Sequence, residues 1–221
     1  MTSLSITHYS DILCVWAFIG QVRVAELEAD FPEAVSFEFR YFNVFGDVRT
    51  KLETQWASRG GLPAYADHVH EVADGFEHVT LHADVWRRNV PASSLPAHLL
   101  LAAARCMDAE DDGKAARLLD KALRQAFFTT GLDIARLDQL LAIAEELNLP
   151  IDKLERPLHD GRAHALVADD LKCATDAGIR SSPTLTFNEG RQTLSGNVGY
   201  RVLEANVREL LRHPTSQQSW C

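Results

Sequence analysis

The sequence has no Cys-x-x-Cys pair and no long apolar run, and both absences limit its functions. Its four cysteines, Cys14, Cys106, Cys173 and Cys221, lie far apart in the 221-residue chain. Cysteine pairs at short spacing are the usual mark of a structural zinc site, so we predict no such site here. No segment approaches the ~18 consecutive apolar residues of a membrane helix, and we therefore predict no membrane-spanning segment.

Positive charge is also scarce. The chain carries 22 Lys and Arg residues against 31 Asp and Glu residues, and its formal net charge at pH 7 is -9. Because nucleic-acid-binding domains typically show a basic face, this balance argues against nucleic acid as a partner and against an anionic membrane surface. The N-terminus has neither the basic start nor the apolar block of a secretory signal, so we expect a cytoplasmic protein without a structural disulfide framework.

Residues 10–20, Ser-Asp-Ile-Leu-Cys-Val-Trp-Ala-Phe-Ile-Gly, form the stretch with the clearest chemical content. They join an alternating, strand-like run at residues 4–9 to a run of helical spacing that reaches about Phe31. Cys14 is thus expected at a helix N-terminus, where unpaired backbone N–H groups and the helix dipole favour a thiolate. At such a position a thiol pKa of ~8.5 can fall to roughly 3.5–7.5. The alternative is that Cys14 is a small buried packing residue.

The remaining strand and helix patterns follow an informative order. Alternation over residues 35–41 predicts a second strand, which makes a parallel βαβ unit with the first strand. Residues 51–177 show helical spacing almost throughout, including a predicted helix over residues 133–148. Strand patterns return only at residues 184–187 and 192–195, around an Asn-Glu-Gly turn, and a final helix follows.

This order predicts an α/β fold: a thioredoxin-like βαβ–ββα domain with a large all-helical insertion. The thioredoxin-like domain is assigned to residues 1–50 and 178–221, and the helical insertion to residues 51–177. Proline at position 183 begins the third strand in this interpretation, which is an allowed place for it.

Four sequence motifs are spread over nearly the whole chain. They are residues 10–20 around Cys14, Asn89-Val90-Pro91 with Ala97-His98, Ala-Gly-Ile-Arg-Ser-Ser-Pro-Thr at residues 177–184, and Ser-Gly-Asn-Val-Gly-Tyr at residues 195–200. Together they resemble the DsbA family of thiol–disulfide oxidoreductases, and in particular its cytoplasmic FrnE-like branch. The same superfamily contains the kappa-class glutathione transferases and the 2-hydroxychromene-2-carboxylate isomerases. The resemblance implies that Ser182–Pro183 is a cis peptide bond facing Cys14, with the backbone of Ser182 available to a substrate or to glutathione.

The chain departs from the family pattern at position 17, where Ala17 replaces the second cysteine, and Val15 replaces the usual proline. Without a second thiol, the motif cannot close a local disulfide or release a bound substrate by itself. Cys14 can then act as a monothiol that an external thiol such as glutathione resolves, or Cys221 can resolve it. In a third alternative the site binds glutathione for transferase or isomerase chemistry, although those relatives typically carry serine at position 14. A non-catalytic module that binds thiols or peptides is a fourth alternative.

Two further residues are candidates for the substrate site. Trp16 is expected to form one wall of a substrate groove, and Asn43, after the second strand, is a candidate contact for glutathione.

Cys106 and Cys173 are interpreted as packing residues. Four histidines at irregular spacing are interpreted as surface or packing residues and not as a metal site: His68, His70, His78 and His82. We predict no tightly bound cofactor, with glutathione as a co-substrate and protein or small-molecule thiols and disulfides as partners; a homodimer is left open.

Overall fold

The computed structural model describes residues 4–107 and 113–213. Within them, four strands form one mixed sheet in the order β2-β1-β3-β4. The strands are β1 (Leu4–Ser10), β2 (Val35–Tyr41), β3 (Thr184–Phe187) and β4 (Gln192–Ser195). Strand β1 pairs in parallel with β2 and antiparallel with β3, and β3 pairs antiparallel with β4. The predicted parallel βαβ unit and the returning hairpin are therefore confirmed.

Nine α-helices lie within the described ranges. They are α1 (Val15–Asp30), α2 (Val48–Gln55), α3 (Gly61–Asp74), α4 (Leu95–Met107), α5 (Lys114–Phe128), α6 (Leu137–Glu146), α7 (Ile151–His159), α8 (Arg162–Asp176) and α9 (Tyr200–Arg212). A short 3-10 turn, Ala57–Arg59, separates α2 from α3. None of the helices in the described part of the chain is long and apolar enough to cross a membrane.

Helix α6 begins later than the sequence pattern predicted. Asp133 lies at the predicted start, but its carboxylate accepts a hydrogen bond from the Ala135 backbone N–H at 3.0 Å. Arg136, the residue before the helix, has extended backbone angles, with φ −92° and ψ 123°. The Asp133 side chain thus holds a local turn that competes with helix formation.

The buried residues form two clusters. The smaller cluster packs β1 and β3 against α1 and α9 through residues such as Ile6, Leu27, Phe187 and Val207. The larger cluster begins at residues 12–19, beside the predicted active-site cysteine, and continues into the helices between β2 and β3. The cysteine motif is therefore packed against the helical block and not only against the sheet.

Candidate active site

Cys14 lies at the junction of β1 and α1. Its backbone N–H donates to the Asp11 carbonyl at 3.1 Å, and its own carbonyl accepts from the Phe18 N–H at 3.1 Å, so α1 begins directly after it. Its thiol donates to the carbonyl oxygen of Ser182 at 3.2 Å. The Ser182–Pro183 peptide bond is cis. The structure thus brings together two sequence-predicted site segments that are 168 residues apart in the chain.

The loop of Ser182 and Pro183 is fixed by further hydrogen bonds. The Ser182 hydroxyl oxygen accepts the Asp11 backbone N–H at 2.9 Å, which ties this loop to the cysteine motif. The Pro183 carbonyl accepts the Gly196 N–H at 2.8 Å, which ties it to the end of β4. Gly196 has a φ of +82°, a left-handed conformation that glycine adopts without steric cost.

Burial raises the pKa of the Cys14 thiol above its ordinary value. Hydrogen bonding with Ser182 and with the Ala17 backbone opposes that effect, as does the positive charge of Arg124, whereas the charge of Asp11 adds to it, and the pKa stays raised. In the resting structure burial thus opposes the thiolate that the helix N-terminus favours, and the two alternatives for Cys14 are both represented in one site. Cys14 is only 6% exposed, so its sulfur gains little stabilisation of negative charge from water.

Asp11 is the fully buried centre of the site. Its Oδ1 accepts the Leu13 backbone N–H at 2.9 Å. Its Oδ2 accepts both the Phe45 backbone N–H and the Ser94 hydroxyl, each at 2.8 Å. One carboxylate therefore connects the cysteine motif, the loop after β2 and the segment that leads into α4. Satisfying both oxygens offsets the cost of burying the side chain.

His98 supports the same motif from α4. Its Nε2 accepts the Ile12 backbone N–H at 3.1 Å, which leaves the proton on Nδ1, and Nδ1 donates to Asn43 Oδ1 at 3.1 Å. Burial lowers the pKa of His98, so the ring is neutral near pH 7. His98 is therefore a core histidine with both ring nitrogens hydrogen-bonded. Asn43 Oδ1 is engaged by this histidine, and a role for Asn43 in binding glutathione stays a prediction.

Sequence reasoning missed Arg124, a side chain of α5 that is 1% exposed. Its Nη1 donates to the Asp11 carbonyl at 3.1 Å, and its Nη2 donates to the Ser10 hydroxyl oxygen at 2.9 Å. Its Nε donates to Asp120, one helical turn earlier, at 3.1 Å. The sequence feature that could have identified Arg124 is its i,i+4 spacing from Asp120 within the apolar face of a predicted helix.

The other side chains near the sulfur come from α1, α2 and α3. Trp16 lies with Pro183 along a shallow groove and packs edge-to-face on Phe76, with ring centroids 6.2 Å apart. Val48 and Leu52 of α2 and Tyr65 of α3 belong to the same buried cluster as Cys14. The helical block therefore shares its core with the cysteine motif.

The other cysteines do not join this site in the described residues. Cys106 and Cys173 are partly exposed, and Cys173 donates to Asp169 Oδ2 at 3.8 Å. Cys221, the candidate resolving cysteine, lies outside the described residues. Across residues 4–107 and 113–213, no group of His, Cys, Asp and Glu side chains is arranged to hold a metal ion.

A mixed four-stranded sheet with a helix-capping cysteine opposite a cis-proline loop defines a thioredoxin-like protein. The family model of the DSBA-like thioredoxin domain matches residues 5–208, and the chain belongs to this family. The fold is that of a probable DsbA oxidoreductase from Streptomyces coelicolor, with a TM-score of 0.73 and 19% identity, over 98% of this chain and 94% of that one.

Other solved structures share the fold at similarly low identity. The cytosolic disulfide reductase DsbM from Pseudomonas aeruginosa with GSH has a TM-score of 0.64 and 17% identity, over 92% of this chain and 99% of that chain. A 2-hydroxychromene-2-carboxylate isomerase has a TM-score of 0.64 and 16% identity, over 97% of this chain and 100% of that chain.

A curated relative matches a shorter region. The ClpXP adapter protein SpxH from Bacillus licheniformis is 33% identical over 97 residues, which is 41% of this chain. The match covers 32% of SpxH, so about two thirds of that relative's length has no counterpart in the alignment.

Proposed function

We propose that this protein catalyses thiol–disulfide exchange through a single cysteine, Cys14. The observation that carries the proposal is the contact between Cys14 Sγ and the Ser182 carbonyl, 3.2 Å apart, at a helix N-terminus and beside Pro183. A substrate disulfide that reaches the sulfur can pair its backbone or its polar groups with the Ser182 peptide. The helix N–H groups then stabilise negative charge on the attacking sulfur.

The exchange takes place in two steps. The Cys14 sulfur attacks one sulfur of a substrate disulfide, the disulfide bond breaks, and the Cys14 proton ends on the leaving thiol. Because Ala17 offers no second thiol, an external thiol then attacks the mixed disulfide. This second step restores the Cys14 thiol and releases the substrate sulfur as a new disulfide with the external thiol. Glutathione, the abundant thiol of the cytoplasm, is the proposed co-substrate and the cytoplasm the proposed compartment.

The burial of Cys14 sets a condition on this chemistry. Because Cys14 is 6% exposed, a disulfide reaches the sulfur only when side chains of the buried cluster around it, such as Tyr65, move apart. Opening the site hydrates the sulfur and removes the main cause of its raised pKa. The helix N-terminus and the buried Arg124 charge remain in place, so the thiol ionises more readily in the open site than in the closed one.

Two structural neighbours and one relative suggest the alternatives to be tested. The DsbM structure contains GSH, which fits a glutathione mixed disulfide. The isomerase shares the fold, which keeps a glutathione-dependent transferase or isomerase as the second candidate. The relative named as an adapter protein fits a module that binds partners without turnover. Resolution by Cys221 is a further proposal.

The deciding experiment is intact-mass analysis after incubation with oxidised glutathione. We expect one adduct, located on Cys14 by peptide mapping, which reduced glutathione removes. Cys106→Ser and Cys173→Ser are matched controls and should keep the adduct, whereas Cys14→Ser should lose it.

Other results separate the alternatives. Glutathione-dependent conversion of an organic electrophile that survives Cys14→Ser would favour the transferase or isomerase. No adduct together with retained peptide binding would favour the binding module. Loss of turnover in Cys221→Ser, measured without added thiol, would identify Cys221 as the resolving cysteine.

A further inference from the structure

A second cavity lies between α1, β2 and α5 and adjoins the groove beside Trp16 and Pro183. Its volume is about 550 Å³, within the range of sites that hold small organic molecules. Neither Cys14 nor Pro183 lines it, and it shares only His8 and Val24 with the groove beside Pro183. The cavity is therefore a site of its own, and binding of a ligand there does not depend on the proposed redox function.

The walls of this cavity are largely apolar. Phe18, Val22 and Ala25 line it from α1, and Phe39 lines it from β2. Val22 is 47% exposed, a large value for an apolar side chain beside a concave surface. A ligand with an apolar body would remove this surface from water, which is the usual source of affinity in small-molecule sites.

Five charged side chains also line the cavity, and one of them has no ion-pair partner within the described residues. Asp120 pairs with Arg124, and Glu28 pairs with Arg117. Lys121, on the same face of α5, forms no ion pair with any residue in the described ranges. The lining therefore carries one excess positive charge, in a chain whose net charge is -9.

The buried end of the cavity adds no further charge. His8 lines it and is 6% exposed, and its Nδ1 has no hydrogen-bond partner among the described residues. Burial and the nearby Arg124 lower the pKa of His8 to about 4, so its ring is neutral near pH 7. A ligand meets apolar walls, the neutral imidazole of His8, the two ion pairs and the ammonium group of Lys121, together with further polar side chains: Gln21, His78, Thr80, Gln125 and Thr129.

We propose that this cavity binds a small amphipathic monoanion, an organic acid with an apolar body. The body packs between Phe18, Val22 and Phe39, and the carboxylate pairs with Lys121. A polyanion fits less well, because the other two cations are already neutralised by carboxylates. Arg117 also covers the Phe39 ring, with its guanidinium carbon 5.4 Å from the ring centroid, which keeps this cation at the wall.

Isothermal titration calorimetry with octanoate tests the proposal, with 1-octanol as the uncharged probe of similar shape. We expect saturable one-to-one binding of octanoate that is tighter than that of 1-octanol. Lys121→Met should weaken octanoate binding about fivefold, the effect of one partly screened ion pair, and leave 1-octanol unchanged. Lys114→Met, an exposed lysine on α5 that does not line the cavity, is the matched control and should change neither affinity.

A second variant tests the location. Ala25 is exposed on α1, so Ala25→Trp fills the cavity from its rim without disturbing the core, and it should abolish binding of both probes. Cys14→Ser should bind octanoate as the wild type does, which keeps this test independent of thiol chemistry. Equal affinity for the two probes, an unchanged octanoate affinity in Lys121→Met, or full binding in Ala25→Trp would each overturn the proposal.

Discussion

Mild acid should destabilise the folded protein through His8. Burial, followed by the charge of Arg124, lowers the pKa of His8 from 6.5 to about 4, and Asp120 opposes this only in part. As pH falls, the unfolded chain therefore binds a proton at this histidine before the folded chain does. The contribution of neutral His8 to stability is full above about pH 6.5 and is lost as pH falls towards 4. Between pH 7 and pH 5 the loss amounts to about 2 kcal/mol.

Urea unfolding of the wild type and of His8→Leu at both pH values measures this contribution. Because leucine has a similar volume and does not titrate, the free energy of unfolding should fall by about 2 kcal/mol less in the variant. His98 is also buried with a lowered pKa, so only the difference between the two proteins isolates His8. His164→Leu removes an exposed histidine of α8 and should retain the wild-type fall. An equal fall in His8→Leu and the wild type would refute the reasoning.

Three further predictions concern the cysteine motif. In urea unfolding, Arg124→Met should lower the free energy of unfolding by about 3–5 kcal/mol, because it leaves the buried Asp120 carboxylate without its cation. The double variant Arg124→Met with Asp120→Leu should recover part of that loss. His98→Leu should cost about 1–3 kcal/mol, because the buried Ile12 N–H loses its acceptor; a neutral effect would contradict this role. At pH 7, iodoacetamide should alkylate Cys14 more slowly than it alkylates free glutathione, because burial raises the pKa of the Cys14 thiol. For the same reason the alkylation rate of Cys14 should still rise above pH 9. Alkylation faster than that of glutathione would contradict the closed site.

The sheet could be predicted from the sequence because its signals are local. Apolar and polar residues alternate over residues 35–41, and the Asn-Glu-Gly turn separates two short β-rich runs. Periodicity of this kind records which face of a strand is buried, and it needs no knowledge of the partner strand. The position of Cys14 at a strand–helix junction follows from the same signals. The proximity of Cys14 to the Ser182–Pro183 peptide bond was predicted only from the resemblance to a known family, since no local pattern relates two segments so far apart in the chain.

The electrostatic state of the site could not be predicted, because it depends on packing across the whole chain. A helix N-terminus favours a thiolate, and that local rule predicts one at Cys14. The burial that outweighs it comes from a cluster that contains residues of α2, α3 and α4, which sequence spacing does not reveal. The buried Arg124 was missed for the same reason: its hydrogen-bond partners at residues 10–12 are more than one hundred positions away.

The pattern of hydrogen bonds indicates where the closed site can open. Ser94, His98 and Arg124 each bind the cysteine motif directly, so α4, α5 and the segment before α4 are fixed to it. By contrast, no side chain of α2 or α3 hydrogen-bonds to residues 10–14 in the part of the chain that the structure describes. Moving the first group breaks buried hydrogen bonds to the cysteine motif that cost about 1–3 kcal/mol each, whereas moving the second breaks no side-chain hydrogen bond to residues 10–14. Opening over Cys14 should therefore occur on the side of α2 and α3.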